Sequence, residues 1–284
     1  MLERKWKLAE PKFLEAVKVL GGRREHHYAM TARELGAIAS AKNDWRTARK
    51  YFQEDYDIQV ADLGPEDSAV ILPLTRVALA DLRLKNIPAA QAEISKALEI
   101  QKKQLMPNAE NEANLLEKLA MVHLEAGEPE IALKHAKRSA ELWLSPKVGA
   151  SGSGMLSIWR TLGSSYMATN HFKEAEECFT KARNISDSYG FYSDQVQDRV
   201  DIARSCEKQG AIAKADRFYK EALRHGNKAL KECRTLPHAQ EQLKQTQHHM
   251  RAVYMTYAEY LDRQGKTDLA QQMRTKASQE LSKS

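Results

Sequence analysis

The chain has 284 residues, 44 lysines and arginines against 38 aspartates and glutamates, and a formal net charge of +6. Aromatics make up only 7%, thirteen residues are glycine, and alanine and straight-chain helix formers recur throughout, which excludes a β-rich fold and predicts an all-α protein. The charged opening MLERKWKLAEPKFLEAV lacks a signal peptide's apolar core, no stretch approaches the roughly 18 apolar residues of a bilayer span, and Cys178, Cys206 and Cys233 have no CxxC spacing. A cytoplasmic protein with reduced thiols, and no membrane partner, is the expectation.

In chain order, residues 1–29 come first, within which 10–20 (EPKFLEAVKVL) read as the second helix of a partial repeat that caps the first full unit. A repeat then sets in. Ala48, Ala90, Ala132, Ala175, Ala215 and Ala270 are separated by 42, 42, 43, 40 and 55 residues. Twelve positions before each stands another small residue: Gly36, Ala78, Ala120, Gly163, Ala203 and Ala258. A large residue precedes each of those, from Leu35 to Tyr257, and Phe52, Ile94, Ala136, Phe179 and Tyr219 lie four after the alanines, with Arg274 departing in the last unit. Polar or Gly/Pro turns such as Asn43-Asp44 and Gly127-Glu128-Pro129 separate the two small residues.

Two antiparallel helices approach closely when each contributes a small residue at the crossing and large ones fill the flanks. Each unit is therefore read as a helical hairpin, with units near 30–62, 70–104, 112–144, 155–188, 194–235 and 238–281. Pro88 and Pro129 fall in the first turn of a second helix, where a missing amide donor is harmless, and an Asn or Asp before that helix can cap it. The Gly/Ser-rich stretch 145–154 reads as a flexible loop inside a continuous array. The long 215–270 step makes an elongated hairpin at 216–263, a candidate for self-association.

The segment WRTLGSSYMATNHFKEAEECFTKA carries Trp159, Leu162, Gly163, Tyr166, Ala175, Phe179 and Ala182, and resembles the tetratricopeptide repeat position for position. The 42-residue spacing and the linker from Leu63 to Val70 resemble kinesin-light-chain-type repeats. The resemblance implies a right-handed superhelix (α-solenoid) of about six hairpins plus an N-terminal capping helix. It also implies a non-enzymatic adaptor binding a partner peptide or protein segment in its concave groove, or a peptide-responsive sensor in which the 145–154 loop acts as a hinge. Kinesin light chains usually present asparagines on the inner face. Here those positions read Arg33/Glu34, Thr75/Arg76, Glu117/Lys118 and Arg160/Thr161, so the family's cargo does not carry over.

Catalytic constellations are missing: the sequence has no phosphate loop, HExxH, GxSxG or paired-cysteine metal motif, so neither an enzyme nor a cofactor is expected. His26-His27 and His248-His249 diverge by about 100° per residue on a helix and read as solvated or turn residues. Residues 1–50 hold 12 basic against 6 acidic side chains and 201–284 hold 16 against 10, yet acids are interspersed at both ends, which argues against nucleic acid.

The face opposite the small–large seam of each first helix is predicted to line the groove. Arg33, Arg76, Lys118, Arg160 and Arg204 supply one cation per unit, a row suited to an acidic or C-terminal carboxylate peptide. Leu72, Leu79 and Met121 add apolar contact, and Arg83, Ser164 and Lys208 complete the candidate binding residues. In the competing reading Glu34, Glu117, Asp201 and Glu259 neutralise these cations along the same rows.

Overall fold

The structure, a computed structural model, describes residues 11–15, 26–106, 108–146, 148, 152–189, 192–235 and 240–282. Among these there is no strand, and twelve α-helices of 13 to 24 residues follow one another in six hairpins. They pair as α1 (His26–Ala41) with α2 (Trp45–Leu63), α3 (Ile71–Arg83) with α4 (Ile87–Lys103), and α5 (Ala109–Glu125) with α6 (Pro129–Trp143). The remaining pairs are α7 (Gly152–Ala168) with α8 (Phe172–Tyr189), α9 (Tyr192–Lys208) with α10 (Ile212–Thr235), and α11 (Gln240–Arg263) with α12 (Thr267–Ser282). Of the capping helix expected at 10–20, 11–15 are helical, and 10 and 16–20 lie outside the described residues.

The seam predicted from alanine spacing is where the helices cross. Ala48, Ala90, Ala132, Ala175, Ala215 and Ala270 are all fully buried, as are their partners Ala78, Ala120, Ala203 and Ala258. Glycine is needed where a phenyl ring takes the space: a Cβ on Gly36 would sit 2.5 Å from Phe52 Cε1, and one on Gly163 2.7 Å from Phe179 Cε1. Arg274, which breaks the pattern, pairs with Asp262 on the preceding helix instead of packing as a large apolar group.

All six hairpin turns are built alike. Asn43, Lys85, Gly127, Asn170, Gly210 and Gly265 each adopt a left-handed φ between 60° and 77°. The next residue's amide reaches back to the carbonyl five positions earlier, as from Asp44 to Ala39 and from Lys266 to Leu261, both at 2.9 Å. This is the Schellman closure of the first helix, and the seam alanine then donates the first amide of the second, as Ala48 does to Asp44 at 2.9 Å. Asp44 caps α2 through the Thr47 amide, as expected of it. Asn86 makes no such cap and turns its side-chain amide to Asp81 at 2.9 Å.

The chain forms two compact units, 2–154 and 155–284. In the first, α2 packs on α3, α4 on α5, and the first helices α3 and α5 touch directly. In the second, α8 packs on α9, α10 on α11, and α9 touches α11. In each unit, then, two successive first helices lie side by side. Of the stretch 145–154 read as a flexible loop, 147 and 149–151 lie outside the described residues, and 152–154 are helical, since α7 begins at Gly152. Gly154 is helical, and a Cβ on it would lie 2.3 Å from the Trp143 indole, so close packing rather than freedom accounts for that glycine. α10 and α11 are the elongated pair, 24 residues each. Leu230 and Met250 are buried along this pair, and Arg234 reaches Glu280 of α12 at 3.1 Å.

Candidate functional site: the first-helix layer

In unit 2–154, α1 and α3 hold Arg33 and Arg76 on either side of one carboxylate from α2. Arg33 Nε donates to Asp55 Oδ2 at 3.1 Å and Arg76 Nη1 stands 3.8 Å from the same oxygen. Asp55 is fully buried and also accepts from Gln59 at 2.7 Å. Two guanidinium groups thus share one buried carboxylate, with the exposed Glu34 a second acid that favours the Arg76 charge. Arg76 Nη1 is buried without a hydrogen-bond acceptor, and burial, then the Arg33 charge, pull the Arg76 pKa below the ordinary arginine value. Beside this pair the apolar Met30 and Leu72 are each 53% exposed.

Further along, Leu79 and Met121 are half-buried, Met121 against the cluster of Leu82, Ala90 and Val122. Arg83 is exposed and lies over the Trp45 ring, 5.5 Å from its centroid. Lys118 meets its neighbour Glu117 at 3.2 Å. The structure thus brings Arg33, Arg76 and Leu72 to one place on α1 and α3, while Lys118 and Met121 follow on α5.

In unit 155–284 the same row looks different. Arg160 of α7 donates to Asp198 at 2.6 Å through Nε and to Asp194 at 2.6 Å through Nη1, both on α9. Burial works against the Arg160 charge, yet the two carboxylates hold its pKa above the ordinary value. Asp198 is buried and braced by Ser186 at 2.6 Å, and desolvation still pushes its pKa upward. Arg204 is exposed, 3.8 Å from Asp201, whose carboxyl burial raises to about 6. Ser164 and Lys208 are exposed.

The sequence reading missed the buried carboxylates that organise these cations. Asp55, Asp81 and Asp198 are each nearly inaccessible and serve an arginine from an adjacent helix, Arg49 meeting Asp81 at 2.7 Å. Their signal was an aspartate in an otherwise buried face, as in ALADL around Asp81. The expected neutralisers Glu117 and Asp201 do pair locally, with Lys118 and Arg204. Cys178, Cys206 and Cys233 are buried, and desolvation pushes the first two thiols up to about 12. The side chains of His26 and His27 lie outside the described residues. His248 is exposed, whereas His249 is half-buried with Nε2 lacking a partner, so it is not a solvated residue as expected. Among the described residues no group of three His, Cys, Asp or Glu is placed to hold a metal ion, and no helix is long and apolar enough to cross a membrane.

Within each unit, helical hairpins closed by Schellman turns and packed first helix beside first helix have the fold of tetratricopeptide-repeat proteins. The family model described as tetratricopeptide repeat matches residues 70–145. No curated protein matches the sequence. Among solved structures, RapI in its apo form is similar with a TM-score of 0.69 at 14% identity, over 99% of this chain and 94% of that one. The apo quorum sensor NprR from B. thuringiensis has a TM-score of 0.64 at 13% identity, over 99% of this chain and 84% of that one. Kinesin light chain TPR-like repeats from Podosopora anserina have a TM-score of 0.56 at 16% identity, over 73% of this chain and 99% of theirs. At these identities the likeness is one of fold.

Proposed function

We propose that the chain is a non-enzymatic, cytoplasmic adaptor that binds a segment of a partner protein against its first-helix layer. The observation that carries this is on α1 and α3: Met30 and Leu72 stand half-exposed beside Arg76, whose Nη1 has no acceptor. Apolar side chains and an under-satisfied guanidinium on one face gain by meeting a ligand with an apolar group and an acceptor oxygen. The binding residues are Arg33, Leu72, Arg76, Leu79, Arg83, Lys118 and Met121. Ser164, Arg204 and Lys208 form a lesser set in the other unit, and Arg160 supports that unit's structure.

A photo-crosslinking residue at position 72 should join a captured protein partner, and Leu72→Asp or Arg76→Gln should abolish capture without changing helical content. Capture that survives both substitutions would remove the groove from the account and spare the fold. A sensor role, in which a peptide alters the repeat packing, draws on the end-to-end likeness to RapI and the quorum sensor NprR. Scattering profiles unchanged by a bound peptide would count against it.

A further inference from the structure

Among the described residues, the outer face of α10 carries a row of six exposed cations, of which Arg217, Lys220, Lys228 and Arg234 have acidic neighbours and Arg224 and Lys231 have none. That helix buries Ala215, Phe218, Tyr219, Ala222, Gly226, Ala229 and Leu230 on one side. On the other side run Arg217, Lys220, Arg224, Lys228, Lys231 and Arg234, all exposed. Steps of three or four residues place successive cations about 4.5–6 Å apart along the axis. Arg217, Arg224 and Lys231 are spaced by seven, so they drift only about 20° per step and form a nearly straight central row about 21 Å long.

Acids are confined to the margins of that row. Lys220 pairs with Asp216 at 2.7 Å, Arg217 approaches Glu221 at 3.7 Å, and Lys228 approaches Glu232 at 3.9 Å. Arg224 and Lys231 make no ion pair or hydrogen bond with any of the described residues. The contrast with Arg160, gripped by two carboxylates, is direct. Like charges held in a row on one helix repel each other, and a partner carrying the opposite sign relieves that cost.

We infer that the outer face of α10 docks an acidic segment of a partner protein, with carboxylates at helical spacing along the Arg217–Arg224–Lys231 row. The marginal acids select this occupant over nucleic acid. A duplex presents about one phosphate per 1.7 Å of axis on a broad surface, which would press against Asp216, Glu221 and Glu232. Single strands are gripped by stacking on exposed aromatics, and the two aromatics of α10, Phe218 and Tyr219, are buried. The inference concerns a second surface and stands independently of the first-helix reading.

The test uses the full chain and a fluorescein-labelled helical peptide of about 21 residues with glutamate at every third or fourth position, followed by anisotropy at low ionic strength. Saturable binding that fades at about 0.5 M salt is expected. Arg224→Glu with Lys231→Glu should weaken it at least about tenfold, because each reversal replaces attraction by repulsion at an exposed site. Circular dichroism should show unchanged helix content, and Leu72→Asp should bind the peptide as the parent does. Unaltered binding in the double variant would overturn the proposal. So would a 20-base-pair DNA duplex bound more tightly than the peptide, or a loss of peptide binding in Leu72→Asp alone.

Discussion

Lys85 is the one residue at a hairpin turn that is neither glycine nor asparagine, yet it holds a φ of 64°. A left-handed lysine costs about 1 kcal/mol relative to glycine. Its ammonium meets Glu125 at 2.6 Å, but both groups are largely exposed, and such pairs contribute little. Lys85→Gly should therefore stabilise the protein by about 0.5 kcal/mol, read as a small rise in melting temperature. Arg160 works in the opposite sense. Removing it strands Asp198 in the interior, so Arg160→Ala should destabilise by about 3–5 kcal/mol. Arg204→Ala, which releases an exposed guanidinium from an Asp201 still held by Gln197, should cost no more than about 1 kcal/mol in the same denaturant titration.

Glu93 gives the residue scale a pH signature. Burial, then the charge of neighbouring Asp81, raise its carboxyl to about 7, partly offset by Arg49. In the unfolded chain that group ionises near 4.5. Between these values the native state binds more protons than the unfolded one, so this group's stabilisation is complete below about 4.5 and is lost as pH rises through about 7. Glu93→Gln keeps the shape and removes the titration. The melting-temperature difference between variant and parent should move in the variant's favour from pH 5 to pH 8, and a difference independent of pH would refute the assignment.

At the scale of the element, the crossings decide. An added methyl on Gly163 meets the Phe179 ring at 2.7 Å, and a ring held between helices cannot yield without moving one of them. On Gly226 the obstacle is Met250 Sδ at 1.8 Å, part of a flexible side chain able to swing aside. Alanine gains up to about 1 kcal/mol over glycine within a helix. Gly163→Ala should thus lose about 1–2 kcal/mol net, and Gly226→Ala should lose less, by thermal or urea unfolding.

These same features explain what was legible. Alanine spacing, Gly36 and Gly163, and the turn residues repeat at fixed intervals because local geometry demands them, so the hairpins are readable from one sequence. Asp55 and Asp198 are not periodic. Asp55 takes Arg33 from its own hairpin and Arg76 from the next, Asp198 takes Arg160 from the hairpin before, and nothing in the spacing of Arg33 or Arg160 announces which acid will arrive. The cation row on the first helices was visible, but its division into a shared carboxylate at Arg33 and Arg76 and a doubly held Arg160 depends on packing between hairpins.

On the scale of the whole molecule, each compact unit has a core of its own. Leu74 belongs to a cluster drawn from α3, α4 and α5, whereas Leu230 belongs to one that runs from α8 to α12. Repeat arrays are held by neighbour contacts, so a defect weakens the repeats around it rather than the chain uniformly. Leu74→Ala and Leu230→Ala remove the same side chain from sites 3% and 2% exposed, each at a cost of about 2–5 kcal/mol. In urea, followed by far-UV circular dichroism and by hydrogen exchange, Leu74→Ala should lower protection in 70–144 and leave 192–282 close to the parent. Leu230→Ala should do the reverse. A uniform loss of protection in both variants would mean that 2–154 and 155–284 unfold as one cooperative body, in which case the two cores act as a single one.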